Sequence, residues 1–163
     1  MSSVTLAFDC ATDVTSVAVL ADEHAPDDVV EIRSPIAESA EGERKPYVRH
    51  AADLLELAVA ALDAGGFHWQ DVARVGAGFG PGSYTGLRVA AATAEGIALA
   101  RSVPAFGFST LATLSLQVPG KPVIAAVPAG RTELFVAAYE CERCLQGPVA
   151  IDPAQDRKST RLN

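Results

Sequence analysis

The 163 residues include 13 basic and 20 acidic side chains, for a formal net charge of −7, and 49% of them are hydrophobic. This hydrophobic content is enough for a packed core, and the length predicts one domain or one and a half. The acidic balance argues against a chain that holds RNA by itself, because phosphate binding needs a positive surface. No apolar run approaches the roughly 20 residues of a membrane span, and no secretion signal is evident. With three cysteines and no disulfide framework, these features predict a cytoplasmic protein.

Three short apolar segments open the chain and predict neighbouring β-strands. They are Val4 to Phe8, Ser16 to Ala21 and Val29 to Ile32, and polar residues separate the first two. Asp9 and Thr12 lie in the turn between those two strands. Side chains of this type often bond to the amides of their own turn. The residues alone therefore favour a local structural role for both.

A long amphipathic segment follows, from Pro46 to Ala64, and predicts a helix with a broad apolar arc. Gly65 and Gly66 end it, because glycine adopts the left-handed dihedrals of a helix C-terminus. His50 stands near its beginning, and no carboxylate or second histidine lies at metal-ligand spacing from it. We therefore interpret His50 as a surface or capping residue of this helix.

A glycine-rich turn connects the next predicted strand, Val72 to Ala77, to a second long helix. Residues 80–86 read GPGSYTG, and three glycines with a proline indicate unusual dihedrals or a close backbone approach. Ser83 or Thr85 is predicted to cap the helix. The turn could bind an anion at the helix N-terminus, or it could be a tight connection without a ligand. Spacing does not choose between the two, although the P-loop and dinucleotide patterns do not fit.

The helix after this turn, Leu87 to Ala100, is apolar on almost every side. Arg88, Thr93 and Glu95 are its only polar residues, and Arg88 and Glu95 share a face because they lie two turns apart. A helix of this kind is usually covered on almost all sides. Its alanines and its glycine let another backbone come close, which favours a helix–helix contact.

The remaining patterns predict further strands and one short helix. A strand at 105–108 precedes a helix that Ser109 or Thr110 caps, and Pro122 to Val127 and Leu134 to Tyr139 predict paired strands. Together the segments predict an α/β fold in which a mixed sheet has both long helices on one side. The strands of that sheet are expected near residues 4–9, 16–21, 29–33, 72–77 and 105–108.

Two cysteines near the end of the chain, Cys141 and Cys144, have CxxC spacing. A structural zinc site needs two more ligands, and none is close in sequence. A thioredoxin-like site needs a helix after the first cysteine, and the residues that follow are not helical. We therefore predict no metal site here, and expect two thiols at a strand end or turn.

The glycine-rich turn and several flanking segments resemble the bacterial TsaB (YeaZ) family. The resemblance rests on residues 80–88, on 96–98 (GIA) and 104–111 (PAFGFSTL), and on 9–12 (DCAT) in the first turn. His50 matches a histidine that the family often has there. The family motif comprises Gly80, Pro81, Gly82, Ser83, Tyr84, Thr85, Gly86 and Arg88.

This resemblance implies the actin, sugar-kinase and Hsp70-like (ASKHA) fold. Residues 1–104 would form its N-terminal domain, 105–150 the beginning of a second α/β domain, and 151–163 a non-native or disordered tail. In the superfamily the first turn approaches the phosphates of a nucleotide. Asp9 and Thr12 would then be a vestigial phosphate turn, because most of the second domain that completes the cleft is expected to be missing.

The function that the resemblance implies is that of a non-catalytic scaffold subunit. The family supports formation of N6-threonylcarbamoyladenosine beside the tRNA anticodon, where TsaB binds and activates the transferase TsaD, and TsaE is an ATPase. No cofactor and no membrane contact are expected, and tRNA would be contacted only through the complex. A nucleotide-binding ATPase or kinase-like domain is the alternative. An M22-type peptidase is a lesser one, since HExxH and GxSxG patterns are absent.

The family also implies that the two long helices pair with two helices of TsaD, or with a second copy of the chain. The broad apolar arc of the first helix and the small residues of the second agree with such a four-helix contact. Arg49, Asp53, Arg88 and Glu95 are expected near its rim. The predicted interface residues are His50, Leu54, Leu57, Ala61, Val89, Ala90, Ala94, Ile97 and Ala98.

Overall fold

The structure is a computed structural model that describes residues 3–22, 29–34 and 50–154. Its elements in chain order are β1 (Val4–Asp9), β2 (Ser16–Ala21), β3 (Val30–Arg33), α1 (His50–Ala64), β4 (Val72–Gly78), α2 (Tyr84–Arg101), β5 (Ala105–Phe108), α3 (Thr110–Ser115), β6 (Pro122–Pro128), β7 (Leu134–Glu140) and β8 (Arg143–Ile151). Within these ranges, no helix combines the length and the apolar character that crossing a membrane requires.

The strand β1 lies at the centre of a five-stranded mixed sheet with the order β3-β2-β1-β4-β5. The pairs β1–β2 and β2–β3 are antiparallel, whereas β4 and β5 extend the sheet in parallel. Parallel neighbours need a crossover connection, which α2 supplies between β4 and β5. The predicted mixed sheet is confirmed, with each strand end within a residue of its expected place.

Alternating side chains of β1 build the main core. Val4, Leu6 and Phe8 are fully buried, and the two-residue period of a strand puts them on one face of the sheet. The same cluster includes Leu54 of α1 and Ala90 of α2. Both long helices therefore pack on one side of the sheet, as predicted, with α1 against β2 and β3 and α2 against β4 and β1.

A second, three-stranded sheet has the order β6-β7-β8 and is antiparallel throughout. The helix α3 packs on it through Leu111, which shares a small core with Val127 and Tyr139. We call the five-stranded sheet with α1 and α2 the first lobe, and β6 to β8 with α3 the second lobe. The predicted β6–β7 pairing is confirmed, but β8 was not predicted, because an edge strand exposed along most of its length shows no apolar alternation.

Two elements lie across the predicted domain bounds, which stay a prediction. The strand β5 pairs with β4, so the first lobe continues past residue 104 and the second begins after Phe108. Ile151 ends β8, so the predicted tail of residues 151–163 overlaps the second lobe. Residues 155–163 and the predicted helix start at 46–49 lie outside the described residues.

Candidate functional site

The turn between β1 and β2 is held by the side chains that the sequence singles out. The Asp9 Oδ1 atom accepts a hydrogen bond from the Ala11 amide at 2.7 Å, and its Oδ2 atom accepts one from the Thr110 hydroxyl at 2.8 Å. The Thr12 hydroxyl donates to the Val14 carbonyl and accepts from the Val14 amide, both at 3.3 Å. Both carboxylate oxygens of Asp9 therefore have donors within the protein, and Thr12 holds its own turn.

The glycine-rich turn packs directly against this first turn. A Cβ atom at Gly82 would overlap the Ala11 backbone, and one at Gly86 would overlap the Cys10 carbonyl oxygen. The Ser83 amide donates to the Ala11 carbonyl at 2.7 Å. Close backbone approach therefore accounts for these two glycines, and it was one of the two possibilities that the sequence leaves open.

The residue that caps α2 is Ser83, whose hydroxyl accepts a hydrogen bond from the Gly86 amide at 3.2 Å. This confirms Ser83 as one of the two predicted caps, and Thr85 lies within the first turn of the helix. Gly80 has a φ of 95°, in the region that favours glycine. Its carbonyl accepts from the Thr110 amide at 3.0 Å, so the loop before the cap is also fixed.

These contacts join three segments that are distant in the sequence: the first turn, the glycine-rich turn and the start of α3. We call the group formed by Asp9, Ala11, Gly80, Ser83 and Thr110 the motif junction. An anion site at a helix N-terminus needs free amides, and here two amides of the motif donate to protein oxygens. Because α3 belongs to the second lobe, the junction also ties the two lobes together.

The remaining motif side chains lie near the surface. Tyr84 and Thr85 are exposed, and Pro81 is half-buried. The Arg88 guanidinium donates to the Tyr84 hydroxyl at 3.0 Å and lies 5.3 Å from the centroid of its ring, within cation–π range. A groove of about 510 Å³ opens beside this pair, between α2 and β5, and its lining includes Leu87, Ala91, Phe106 and Gly107.

The thiol of Cys10 lies behind the junction and is fully buried. The pKa of the Cys10 thiol is raised from its ordinary value of 9.0 to about 11: burial is the main cause, a hydrogen bond with Thr15 opposes the rise, and the nearby Asp9 carboxylate adds to it. A thiol is nucleophilic only as the thiolate. Cys10 is therefore a core residue and is unreactive at neutral pH.

The predicted interface residues mostly face the sheet. Five of them are buried: Leu54, Ala61, Ala90, Ala94 and Ala98. Three more are partly buried against the same core: Leu57, Val89 and Ile97. His50 begins α1, and its side chain lies outside the described residues. A partner cannot reach the five buried side chains while the first lobe is folded, so any contact through α1 and α2 must use their opposite faces.

The opposite faces carry exposed apolar and small residues. The exposed fractions are 50% for Leu55 and 43% for Val59 on α1, and 81% for Leu99 on α2. Ala92 and Gly96 are exposed on α2 as well. We call these five residues the outer helix surface. Arg88 and Glu95, expected at the rim of a contact, are also exposed, whereas the side chains of Arg49 and Asp53 are outside the described residues.

The two late cysteines lie at the tip of the β7–β8 hairpin. Cys141 is in the turn, Cys144 is at the second position of β8, and both are free and exposed. They agree with the expectation of thiols at a strand end or turn. In the described part of the chain, no group of three or more His, Cys, Asp or Glu side chains is placed to hold a metal ion.

The sheet order and the two helices on one face define the class of protein: an ASKHA-like α/β fold, shared with solved YeaZ structures. A family model described as "TsaD: tRNA N6-adenosine threonylcarbamoyltransferase" matches residues 46–156, which is more than half of the chain. The chain belongs to that family.

Individual relatives confirm the resemblance to TsaB (YeaZ). The TsaB protein of Escherichia coli is 31% identical over 139 residues, which cover 83% of this chain and 54% of that protein. An uncharacterized protein of Mycobacterium leprae is 32% identical over 98% of this chain and 42% of its own length. The structure of YeaZ from Pseudomonas aeruginosa superposes with a TM-score of 0.75 at 26% identity, covering 93% of this chain and 68% of that one. The chain thus spans about half the length of the curated relatives it matches.

Sequence reasoning missed the link between Asp9 and the second lobe. It identified Thr110 only as a possible helix cap, whereas Ser109 has that role and accepts from the Ala112 amide. The Thr110 hydroxyl instead reaches Asp9, 101 positions earlier. No local pattern could have indicated this contact, because it depends on β1 and β5 lying in the same sheet.

Proposed function

We propose that this chain is a non-catalytic scaffold that serves N6-threonylcarbamoyladenosine formation in tRNA by pairing with a TsaD-like transferase. Membership of the family and the similarity to TsaB support the pathway. The acidic charge of −7 supports a role in which a partner, and not this chain, holds the tRNA. A TsaE-like ATPase would join through the same assembly.

The observation that carries this proposal is the outer helix surface. Leu99 is almost completely exposed near the end of a helix whose other face is buried, and Leu55 and Val59 are exposed on the neighbouring helix. Covering such side chains stabilises a complex by about 25 cal/mol for each Å² of apolar area removed from water. The small Ala92 and Gly96 leave room for a second helix to approach. A four-helix contact with the partner therefore uses this surface, with Arg88 and Glu95 nearer its rim.

The motif junction supports a scaffold more than an ATPase. A nucleotide site at the first turn needs a carboxylate and amides that can turn toward phosphate and metal. Here the Asp9 carboxylate accepts from Ala11 and Thr110, and the Ser83 amide donates to Ala11. These groups are bonded within the protein and hold the two lobes together, so their role is structural.

The test is co-purification with the TsaD protein of the same organism, followed by size-exclusion chromatography with light scattering. We expect a heterodimer with the unaltered chain, and a self-paired dimer when TsaD is omitted. Ala92→Glu and Leu99→Glu should each abolish both species, because a charge would enter a dry contact. Circular dichroism should show that both variants stay folded.

The matched control is Leu145→Glu, which places the same charge on an apolar side chain that is 51% exposed in the second lobe. It should pair with TsaD as the unaltered chain does. Unchanged affinity of both helix variants would show that α1 and α2 are not the contact. Steady ATP hydrolysis by the chain alone, or a rise in its melting temperature with ATP, would favour the ATPase alternative.

A further inference from the structure

The tip of the β7–β8 hairpin carries two thiols and three charged side chains that the proposed function does not use. Cys141 and Glu142 form the turn, and register pairs Glu140 with Arg143 and Tyr139 with Cys144. Cys141 has a φ of 53°, a left-handed conformation that tight hairpin turns require and usually fill with Asn, Asp or Gly. A cysteine at this position is therefore unusual, and a second one follows just after the turn.

Two cysteines separated by two residues can bind one metal ion. Structural zinc sites take ligands in such C-x₂-C pairs from a single turn, with Zn–S bonds of about 2.3 Å. The metal in such sites is held tetrahedrally. Thiolates are soft ligands and select zinc over hard cations such as magnesium.

One hairpin supplies only half of a structural zinc site. Such sites are almost always four-coordinate, and no third protein ligand stands near Cys141 and Cys144 in the described ranges. Residues 143 to 150 are exposed along the edge strand β8, so the described chain leaves room for another hairpin. The sequence predicted no metal site here because a single chain lacks two further ligands, and a second copy would supply them. We propose that Cys141 and Cys144 from two copies of this chain hold one zinc ion in a tetrathiolate site.

Charge at the tip makes this association depend on the metal. Each tip carries Glu140 and Glu142 against the single cation Arg143, so two tips repel one another when no ion lies between them. A divalent cation at the centre offsets that repulsion and bonds to the thiolates.

The experiment uses the whole chain without a histidine tag, kept reduced and titrated with Co²⁺ as a spectroscopic stand-in for zinc. A tetrathiolate site gives an intense sulfur-to-cobalt charge-transfer band that saturates at one ion per two chains. Zinc should displace the cobalt. In the Ala92→Glu background, where the helices do not pair, light scattering should show a zinc-dependent dimer that a chelator returns to monomer. Cys141→Ser and Cys144→Ser should each lose the band.

Two further variants distinguish the shared zinc site from metal binding at the buried thiol and from helix pairing. Cys10→Ala removes the buried thiol and should keep the band, its saturation ratio and the zinc-dependent dimer. Ala92→Glu abolishes the helix pairing proposed above, and zinc should still dimerise it, so the two proposals fail independently. Saturation at one ion per chain with a weak band, or no band at all, would overturn the shared site.

Discussion

Helix α2 has two faces made of nearly the same side chains, and the fold uses them in opposite ways. The inward stripe is Gly86, Ala90, Ala94 and Ala98, every fourth residue, and all four are buried. The outward face includes Ala91, Ala92, Gly96 and Ala100, which are exposed. Small side chains let α2 lie close to the sheet on one side, and leave the other side open to a second helix.

This difference explains why periodicity alone selected interface residues that lie mostly against the sheet. Hydrophobic periodicity identifies a covered side only when the other side is polar. In α2 alanine occurs on both sides, so periodicity did not distinguish the stripe that packs on β1 and β4 from the side that faces away. In α1 the broad arc has the same effect, because Leu54 is buried whereas Leu55 next to it is half-exposed.

The largest expected effect comes from putting one charge on each face. Ala94→Glu buries a carboxylate in the main core, where Ala94 is 2% exposed, and should reduce the free energy of unfolding by about 3–5 kcal/mol. Ala92→Glu puts the same group in water on the monomer, and should change the stability of the monomer by less than about 0.5 kcal/mol. Urea denaturation followed by circular dichroism measures both. Equal stability of the two variants would contradict the assignment of faces.

The two glycines of α2 give the second contrast, and the expected changes have opposite signs. Gly86→Ala forces a methyl group against the Cys10 carbonyl and should destabilise the chain by about 3 kcal/mol. Gly96 has nothing within 4 Å of an added Cβ atom, so Gly96→Ala should stabilise the helix by about 0.5–1 kcal/mol. Melting temperatures of the two variants measure both changes. A higher melting temperature for Gly86→Ala would show that the motif does not pack closely on the first turn.

The motif junction can be tested by a double-mutant cycle on Asp9 and Thr110. Their hydrogen bond joins a carboxylate to a hydroxyl at 2.8 Å, and bonds to charged groups contribute about 1.5 kcal/mol or more. Asp9→Ala, Thr110→Val and the double variant should therefore give a coupling energy of about 1.5 kcal/mol in urea denaturation. A coupling energy near zero would mean that Asp9 holds only the Ala11 amide and does not tie the lobes together.

The parts of the fold that were predictable are those that depend on neighbours in the sequence. The short apolar segment from Val4 to Phe8 predicted β1, and a hydroxyl residue before an apolar run predicted a cap at Ser83 or Thr85. The parts that were not predictable depend on distant contacts or on an absence of pattern. The bond from Asp9 to Thr110 spans 101 positions, and the exposed strand β8 has no apolar period.

The smallest effect concerns Cys10, which lies against Gly86 in the first turn of α2. Its thiol has a pKa raised by burial from 9.0 to about 11, so the folded state favours the neutral form. The stabilisation is complete below pH 9 and is lost as the pH rises from 9 through about 11, because the unfolded chain releases this proton first. Between pH 8 and pH 10 the loss should be on the order of 1 kcal/mol. Lysines and tyrosines also titrate there, so the informative quantity is the difference from Cys10→Ala.

Urea midpoints measured under reducing conditions at pH 8, 9 and 10 should fall more steeply for the unaltered chain than for Cys10→Ala. Thiol labelling provides an independent check on the same residue. The exposed Cys141 and Cys144 should react within seconds at pH 8, whereas the buried Cys10 should react only as fast as the chain unfolds. The opposite outcome would be stability curves that run parallel for the two chains, together with three thiols that all react fast. It would show that the first turn of α2 does not cover Cys10, and that the two faces of α2 do not differ in burial there.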